Sequence, residues 1–343
     1  MGKSSLVTIK DIAAKTGFSP TTISLVLNNK RLAKYISAST KKIIRDAVLE
    51  MGYRPNIFAR SLRAKTSYMV GLIVYDILDP YCTPIVKRIE STLIPHDYTV
   101  IISDLGYDTN RYQEALEVLT WRRVDGIIAI ANHFPFDLTA LQKTAAHTPV
   151  VVIGRTCPGL NIPHFTVGDM TGGYQSARHL LDLGHREIGF IWDQVTFEWS
   201  KQRWLGVSKA MAEARLLVDP SQIARIDDKS ADAGYQAAKQ LLESGRSFTA
   251  ICAVNDLTAF GAIRAIFDAG LSVPDDISVI GFDDLAVARH YNPPLTTIAQ
   301  PLEKLGELAT KGLLDRMAPK PKPVTSRTLK PTLVERRSTR ALP

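Results

Sequence analysis

Polar and aromatic residues recur in this sequence directly after short apolar runs of the kind that form buried strands. Carboxylates and amides hydrogen-bond well to vicinal hydroxyls, arginine binds hydroxyl or carboxylate oxygens, and flat aromatic rings cover the apolar C–H face of a sugar. This combination favours binding of a carbohydrate or a sugar acid over catalysis. The candidates for such a pocket are Tyr81, Cys82, Phe197, Trp199, Arg203, Asn255, Asp256 and Asp283.

Structural roles compete for some of these residues. Asp256 fits a helix N-cap, in which case Asn255 would only brace its loop. Phe197 and Trp199 could simply pack in the protein core, and the neighbouring Asp284 fits a cap or a hinge better than a ligand contact. The sequence leaves these alternatives open.

Enzyme and metal signatures are absent from the sequence. No GxGxxG follows a strand to open a helix, no GxxxxGK[ST] or HExxH occurs, and the seven histidines lack metal-ligand spacing. Asp283 and Asp284 are adjacent in one loop, where two carboxylates seldom face a common bond. The three cysteines form no CxxC pair and are expected to be reduced thiols. We therefore expect no enzymatic activity, metal or cofactor.

The stretch TIKDIAAKTGFSPTTISLVLN, residues 8–28, predicts two short helices joined by a tight turn. Residues 9–15 and 20–27 carry apolar side chains at helical spacing. Gly17 suits the positive-φ residue that ends the first helix, and Ser19 is placed to cap the second, which a proline opens. This pattern predicts a helix-turn-helix whose second helix enters a DNA major groove by its N-terminal end.

The outward face of the second helix strengthens that interpretation. Thr21, Thr22, Ser24 and Asn28 are short hydrogen-bonding residues, which can approach a phosphate or a base edge closely. The alternative is an ordinary pair of amphipathic helices joined by a glycine-containing turn.

A third helix is predicted from a cap at Ser37 through Glu50. Its buried stripe is expected to comprise Ile43, Ile44, Ala47, Val48 and Met51. In the loop before it, Lys30, Arg31 and Lys34 are predicted phosphate contacts, with Arg31 a possible base reader; a solvated basic loop is the alternative.

A short segment beginning YRPNIFARSLR follows the third helix. Pro55 can open a helix too short to be stable alone in water, so a partner chain and DNA would have to order it. Leu62 would then act as an apolar wedge in the minor groove, with Arg60 and Arg63 beside the phosphates. An ordinary interdomain linker suits the composition equally well.

The charge of the chain is concentrated in its N-terminal fifth. Residues 1–66 hold 13 Lys and Arg against 3 Asp and Glu, a net charge of +10. The rest of the chain holds 29 Lys and Arg against 31 Asp and Glu, a net charge of −2. One compact basic module on a near-neutral body is the electrostatic pattern expected of a DNA-binding headpiece.

The rest of the chain alternates apolar runs with helical patterns, which predicts parallel sheets covered by helices on both faces. Eight such units are too many for one small open sheet, and the loop 156–169 divides them into two sets, so we expect two doubly wound lobes with a ligand between them. The predicted strands are 71–75, 98–103, 126–130, 150–153, 187–191, 223–226, 250–254 and 277–281.

Two sequence segments together resemble the headpiece and hinge helix of the LacI/GalR family of bacterial transcription regulators: residues 8–28 and GYRPNIFARSL. The resemblance continues through VDGIIAI, GHREIGFI, AVNDLTAFGAIRAI, GLSVPDDISVIGFDD, PPLTTIAQP and LVERRST. It implies an N-terminal helix-turn-helix headpiece and a periplasmic-binding-protein-like body. The predicted divisions are a headpiece at 1–53, a hinge at 54–66, and a body at 67–343.

The resemblance also implies how the body is divided and which residues bind. The first lobe would comprise residues 67–166 and 298–325 and the second 167–297 and 326–338, with the strand LTTI (295–298) and the helix after it crossing back to the first lobe. Asp283 and Arg203 match effector-binding positions, although Arg203 could instead form a salt bridge between lobes. The implied DNA contacts are Thr8, Ile9, Ser19, Pro20, Thr21, Thr22, Ser24, Leu25, Asn28, Arg31, Asn56, Ala59, Arg60 and Leu62.

Three departures from the family pattern limit what can be transferred. Gly154 precedes Arg155 where an Asp is common, and Gly168-Asp169 stands where Asp-Asn is expected. Leu25 stands where an arginine often reads bases, and leucine cannot make the bidentate contact to guanine that arginine makes. The operator sequence is therefore not transferable.

We accordingly expect a repressor of sugar or sugar-acid genes, bound as a homodimer to pseudo-palindromic double-stranded operator DNA and controlled by a small effector. No leucine heptad follows LVERRST, which favours a dimer. The lack of a signal sequence or an apolar run of about 18 residues favours a cytoplasmic protein without membrane contact. The alternatives are a carbohydrate receptor whose basic segment binds nucleic acid non-specifically, and an RNA-binding or nucleoid protein.

Overall fold

The computed structural model describes residues 7–27, 31–53, 66–132, 137–193 and 197–343. The chain divides into two compact units, Met1–Ser67 and Tyr68–Pro343. Within the described ranges, no helix is both long and apolar enough to cross a membrane.

The first unit is a three-helix headpiece around a small apolar core. Its helices are α1 (Ile9–Thr16), α2 (Pro20–Leu27) and α3 (Ala38–Glu50), and a short 3-10 helix, Arg31–Tyr35, precedes α3. The fully or nearly fully buried residues are Ile12, Ile23, Val26, Ile44 and Ala47, with Phe18 packed partly against them. The predicted helix-turn-helix headpiece is confirmed.

Local backbone chemistry explains the turn. Gly17 has φ 73°, and its N–H donates to the carbonyl of Ala13 at 2.9 Å, which ends α1. Because an L side chain is strained at this φ, glycine is the suitable residue. The hydroxyl of Ser19 then accepts from the backbone N–H of Thr22 at 3.1 Å and caps α2, as predicted.

One residue of the predicted apolar stripe of α3 was wrong. Ile43 is half exposed, whereas Ile44 is fully buried. Adjacent helical positions are about 100° apart, and only Ile44 is in phase with Ala47, Val48 and Met51.

The second unit contains two α/β lobes, as predicted, and each lobe has a six-stranded sheet. The first sheet has the order β11-β5-β4-β3-β1-β2, and all its neighbours are parallel. Its central strands are continuously apolar and fully buried, because helices cover both faces. Its elements are β1 (Met69–Val74), α4 (Cys82–Leu93), β2 (Thr99–Asp104), α5 (Asn110–Trp121), β3 (Gly126–Ile130), α6 (Leu138–Ala145), β4 (Val150–Ile153) and β5 (His164–Val167).

The second lobe repeats this plan with the order β12-β10-β9-β8-β6-β7, in which only β12 is antiparallel to its neighbour β10. Its elements are α7 (Asp169–Asp182), β6 (Ile188–Asp193), α8 (Glu198–Glu213), β7 (Ile223–Ile226), α9 (Ala231–Glu243), β8 (Ala250–Ala253), α10 (Asp256–Asp268), β9 (Ser278–Asp283) and β10 (Thr296–Ala299). Then follow α11 (Leu302–Met317), β11 (Arg327–Leu329) and β12 (Thr332–Val334).

The chain crosses between lobes at different points from those predicted. The strand β10, predicted to cross back, pairs with β9 and belongs to the second sheet. The helix α11 does return to the first lobe, where it buries Leu305, Ala309 and Leu313 in the core. The strand β11, assigned by sequence to the second lobe, pairs with β5 in the first sheet. The loop predicted at 156–169 contains β5. The sequence did not predict this strand, because a run of four residues carries too little periodic signal to be recognised.

Candidate functional site

The described DNA-contact candidates divide into exposed and structural residues. Pro20 and Thr21 are exposed at the start of α2, while Thr22, Ser24 and Leu25 are half-buried. The hydroxyl of Ser19 lies 2.9 Å from that of Thr22. The N-terminal end of α2 therefore offers a small, polar surface without bulky or acidic side chains.

Thr8 and Ile9, which were also predicted contacts, support α1. The backbone N–H and the hydroxyl of Thr8 both donate to one carboxylate oxygen of Asp11 at 2.7 Å. The backbone hydrogen bond from Thr8 is the main reason that the pKa of Asp11 is lowered. Ile9 packs partly on the headpiece core. Asn28, Asn56, Ala59, Arg60 and Leu62 lie outside the described residues, as does the side chain of Arg31.

In the second unit, a cavity of about 680 Å³ opens between the lobes. Its first-lobe side includes residues that follow the carboxyl ends of strands β3 and β4, together with residues of β5 and β11, and its second-lobe side includes the first turns of α7 and α8. Ligands of open parallel sheets bind at this edge. The charged and aromatic residues of its lining are Arg155, Asp169, Phe197, Glu198 and Trp199.

Arg203 is not part of the cavity lining, but it contacts Asp169 and Trp199, which are. It lies on α8 with only 2% of its side chain exposed, and its Nη2 donates to Asp169 Oδ1 at 2.9 Å. Its Nη1 donates to the carbonyl of Val254 at 2.5 Å, and its guanidinium lies 3.3 Å from the Phe282 ring centroid and 4.7 Å from that of Trp199. The salt bridge joins two helices of the second lobe, so the alternative of a bridge between lobes was wrong.

Asp169 was noted in the sequence only as a departure from the family pattern, yet it is part of this network. It is the first residue of α7, and only 14% of its side chain is exposed. Burial raises the pKa of its carboxyl, and the Arg203 guanidinium opposes that shift. A carboxylate that is buried and paired in this way orients the arginine.

Asp283 lies at the carboxyl end of β9 with φ 125°, a strained conformation for a non-glycine residue. Gln300 Nε2 donates to its Oδ1 at 2.6 Å. Burial raises the pKa of this carboxyl well above its usual range, and the Arg203 guanidinium opposes the shift. A ligand hydroxyl or N–H that donated to Asp283 would stabilise its charged form.

Asn255 and Asp256 are structural in this fold. Asn255 caps α10, with its Oδ1 accepting from the Thr258 N–H at 2.9 Å, so the cap is Asn255 rather than Asp256. Asp256 has no exposed surface, and its two oxygens accept from the Leu285 N–H at 2.7 Å and the Thr297 hydroxyl at 2.5 Å. One oxygen of Asp256 therefore holds the loop after β9, and the other is bound to strand β10.

Tyr81 and Cys82 occupy the first lobe, where both are buried. Burial raises the pKa of the Tyr81 phenol, and the carboxylates of Asp169 and Asp283 raise it further. Tyr81 therefore lies within electrostatic range of two carboxylates of the second lobe. Cys82 has no exposed surface, opens α4 and belongs to the first-lobe core.

Phe197 and Trp199 form a stacked pair with ring centroids 6.4 Å apart and planes 15° apart. Sequence reasoning missed their neighbour Lys229, whose ammonium lies 5.2 Å from the Phe197 centroid and 5.0 Å from that of Trp199. Lys229 follows the carboxyl end of β7, so its place after a strand was a signal that could have identified it.

Comparison with known proteins shows which proteins the chain resembles. A model of "Bacterial regulatory proteins, lacI family" matches residues 8–56, and one of a "Periplasmic binding protein-like domain" matches residues 177–339. The chain is 34% identical over 334 residues to "HTH-type transcriptional repressor PurR" of Pectobacterium carotovorum subsp. carotovorum (strain PC1), covering 97% of each chain. The corresponding repressor of Mannheimia succiniciproducens is 33% identical, with 98% of this chain and 100% of the relative covered.

Solved structures of transcriptional regulators also match the chain. A lac repressor dimer bound to operator and the anti-inducer ONPF matches with a TM-score of 0.83 and 29% identity, over 98% of this chain and 100% of that one. A complex of the transcriptional regulator CelR with cellobiose matches with a TM-score of 0.72 and 26% identity, over 97% and 99%. A LacI family regulator from Enterococcus faecium with bound ribose matches with a TM-score of 0.72 and 30% identity, over 80% and 100%.

Proposed function

The chain belongs to the LacI family of bacterial regulatory proteins, and from that premise we propose that it represses genes of sugar or sugar-acid metabolism under the control of a metabolite bound between its lobes. Members of this family are DNA-binding transcriptional repressors with an effector-binding domain, and they are not enzymes. The effector class and the site residues are the proposed part.

The observation that carries the proposal is the convergence of hydrogen-bonding and aromatic groups at one edge of the two sheets. Arg203 and Asp283 come from the second lobe, and Tyr81 approaches their network from the first. Trp199 lies against Arg203 at 4.7 Å and presents an aromatic face beside them. Buried donors, acceptors and a flat apolar face suit a hydroxylated ligand. The structures with bound ribose and cellobiose support this ligand class.

Not every sequence candidate enters the proposed contact set. We retain Arg203, Asp283, Tyr81, Phe197 and Trp199. Cys82 lies in the lobe core, Asn255 caps α10, and Asp256 holds the loop that follows Asp283.

The proposed mechanism is linkage between two sites. A homodimer would place two α2 helices about one duplex turn apart on a pseudo-palindromic operator. The two segments around Leu62 would meet over its centre, where leucine would open a base step. A ligand that prefers one arrangement of the lobes then changes operator affinity by about 1–3 kcal/mol, or roughly 5–150-fold. The protein would act in the cytoplasm, where the operator lies.

The test of this function is a comparison of specific with random DNA. A duplex is first selected from a random-sequence library by the full-length protein, and its affinity is measured by fluorescence anisotropy across a salt series. We expect it to be bound at least about 1,000-fold more tightly than an unrelated duplex. We also expect Thr21→Ala to lower the ratio of the affinity for the selected duplex to that for the unrelated duplex. The control is Ser39→Ala, which changes another exposed residue of the headpiece and should leave this ratio unchanged. Equal affinity for both duplexes at every salt concentration would mean that the headpiece binds nucleic acid non-specifically.

A further inference from the structure

Asp169 lines the cavity between the lobes, although the sequence motifs did not mark it as a ligand contact. Arg203 Nη2 donates to its Oδ1 at 2.9 Å, and 14% of the Asp169 side chain is exposed. Within the described part of the chain, no hydrogen bond reaches its other oxygen, Oδ2. Because an ionised carboxylate is only an acceptor, Oδ2 is the atom that Asp169 can offer to a ligand hydroxyl.

Arg203 fixes the state of this carboxylate. Burial raises the pKa of the Asp169 carboxyl, and the charge and hydrogen bond of the Arg203 guanidinium oppose that shift. Arg203 is held in turn by the Val254 carbonyl and by the ring of Phe282, whose centroid lies 3.3 Å from the guanidinium. The buried arginine therefore stabilises the charged form of Asp169 and keeps Oδ1 occupied.

Asp169 also adjoins the segment in which the chain passes between the lobes. It directly follows Gly168, which lines the cavity and whose N–H donates to the carbonyl of Leu329 at 2.9 Å. Gly168 follows β5 and Leu329 ends β11, and from each of them the chain continues into the second lobe. A ligand bound by Asp169 would therefore lie beside the connection between the lobes.

The cavity lining offers an anionic ligand no excess of positive charge. Among its described residues, the carboxylates of Asp169 and Glu198 outnumber the single guanidinium of Arg155. The guanidinium of Arg203, behind this wall, is already paired with Asp169. A ligand carboxylate or phosphate near Asp169 and Glu198 would meet two like charges and would offer Asp169 no donor.

We propose that Asp169 makes the cavity selective for a neutral hydroxylated ligand: its Oδ2 accepts a hydrogen bond from one ligand hydroxyl, and its charge, with that of Glu198, disfavours the corresponding sugar acid or sugar phosphate. This inference rests on the proposed function, because it narrows the ligand class of the same cleft and adds a contact residue to it. A site built to accept from a hydroxyl discriminates against an analogue that lacks it, since the buried acceptor is then left unpaired.

The experiment compares neutral sugars with their acids on the full-length protein. Melting temperature at about 10 mM ligand screens the pairs, because a ligand in excess over its Kd stabilises the folded state. The pairs are D-glucose with D-glucuronate, D-glucitol with D-gluconate, D-ribose with D-ribose 5-phosphate, and cellobiose with cellobionate. Calorimetric titration then measures both members of each pair that raises Tm. We expect at least one neutral sugar to bind about tenfold more tightly than its acid.

Monodeoxy analogues of the best neutral ligand test the hydrogen bond itself. In the wild type, one analogue should lose at least about tenfold in affinity, because Oδ2 is left without its donor. Asp169→Asn keeps an oxygen for Arg203 but presents an amide N–H in place of Oδ2. In that variant the parent sugar should bind more weakly, and the same deoxy analogue should lose no further affinity.

Glu198→Gln tests the charge without disturbing the buried ion pair. Glu198 is exposed, and its Oε1 accepts from Gln202 Nε2 at 2.7 Å. The variant should fold normally and raise the affinity for the acid by about threefold. The control is Glu243→Gln on α9, whose side chain is 67% exposed and pairs with Lys239; it should change neither affinity. If Asp169→Asn shows no cooperative unfolding, the wild-type pairs and Glu198→Gln still decide.

The proposal is overturned if the tightest ligand of the set is an acid, or if no neutral sugar binds at about 10 mM. It is also overturned if the deoxy analogue loses the same factor in the wild type and in Asp169→Asn, since its missing hydroxyl would then not bind Asp169. Discrimination between selected and random DNA is measured separately, so the regulatory function can survive the failure of this inference.

Discussion

The two lobes are built to one plan but use their charged residues differently. Both have six-stranded sheets with the same strand order, and the first sheet differs only in that its last strand is parallel. In the first lobe, Asp79 and Asp104 accept hydrogen bonds from backbone N–H groups of the loops after β1 and β2, and Asp79 also accepts from the Tyr75 hydroxyl. In the second, Asp169 and Asp283 bind the side chains of Arg203 and Gln300. This difference supports the proposal that the second lobe carries most of the recognition chemistry.

The helices also pack more closely in the second lobe than in the first. Glycines on α7 and α8 let these helices meet backbone to backbone: a Cβ added to Gly206 would lie 2.0 Å from the Met170 carbonyl, and one added to Gly173 would lie 1.9 Å from that of Arg203. In the first lobe, the closest such approach between α4 and α11 is looser, because a Cβ on Gly306 would lie 2.9 Å from the Ile85 carbonyl. The helices that hold Asp169 and Arg203 are thus fixed more tightly.

The largest effect is expected from breaking that close approach. Gly206→Ala should lower the free energy of unfolding by about 3 kcal/mol or more, because backbone must move, while Gly306→Ala should cost about 1 kcal/mol. Urea unfolding followed by circular dichroism measures both. Equal losses in the two variants would refute the difference in packing between lobes.

The next effect concerns the buried ion pair. Arg203→Met leaves Asp169 buried without its partner, so it should lower the free energy of unfolding by about 3 kcal/mol and remove the effector response, while operator binding remains. The control is Arg264→Met, which breaks the exposed pair with Asp268 at 2.9 Å and should cost less than about 1 kcal/mol. Urea unfolding and operator anisotropy test both statements. A normal effector response in Arg203→Met would show that the site lies elsewhere.

A smaller effect separates the carboxylates of the two lobes. Asp283→Asn keeps the size of the side chain but removes its charge, and should weaken the tightest small-molecule ligand by about tenfold. Asp104→Asn, at a first-lobe strand end, should leave that affinity unchanged, because the described hydrogen bonds of the Asp104 carboxylate come from the backbone N–H groups of Ile77 and Gly106. Calorimetric titration measures the ligand affinity of both variants. An equal loss of affinity in Asp283→Asn and Asp104→Asn would contradict the proposed difference between the lobes.

The smallest effect is a pH dependence from the second lobe. Burial raises the pKa of Asp256 from 3.8 to about 6. The folded state therefore binds its proton more tightly than the unfolded chain, and the free energy of unfolding falls as pH rises between those values. Asp256→Asn should flatten this decline, which chemical unfolding at several pH values between about 4 and 6 would measure. An unchanged slope would show that Asp256 does not cause it.

Sequence patterns predicted the parts of this molecule that depend on neighbouring residues. Gly17, Ser19 and Ser37 end or cap their helices as expected, because those roles are set within one turn of chain. The central strands were recognisable because burial on both faces makes them continuously apolar. The fold class follows from these features.

Features that depend on distant parts of the chain were harder to predict. The placement of β10 and β11 depends on which sheet edge accepts a run of three or four residues, and such short runs carry little periodicity. The roles of Asp169 and Lys229 arise because helices and strands far apart in sequence meet at the cleft. Asp256 was misread because its burial and its partners Leu285 and Thr297 are invisible locally.

The central claim is that the cleft and the headpiece are energetically linked, and reciprocal titration tests this most directly. Affinity for the selected duplex is measured by anisotropy with and without saturating ligand, and affinity for the ligand is measured by calorimetry with and without the duplex. Linkage requires the two affinities to change by the same factor, which we expect to be roughly 5–150-fold. A duplex affinity identical in ligand-free and ligand-saturated protein would contradict the account.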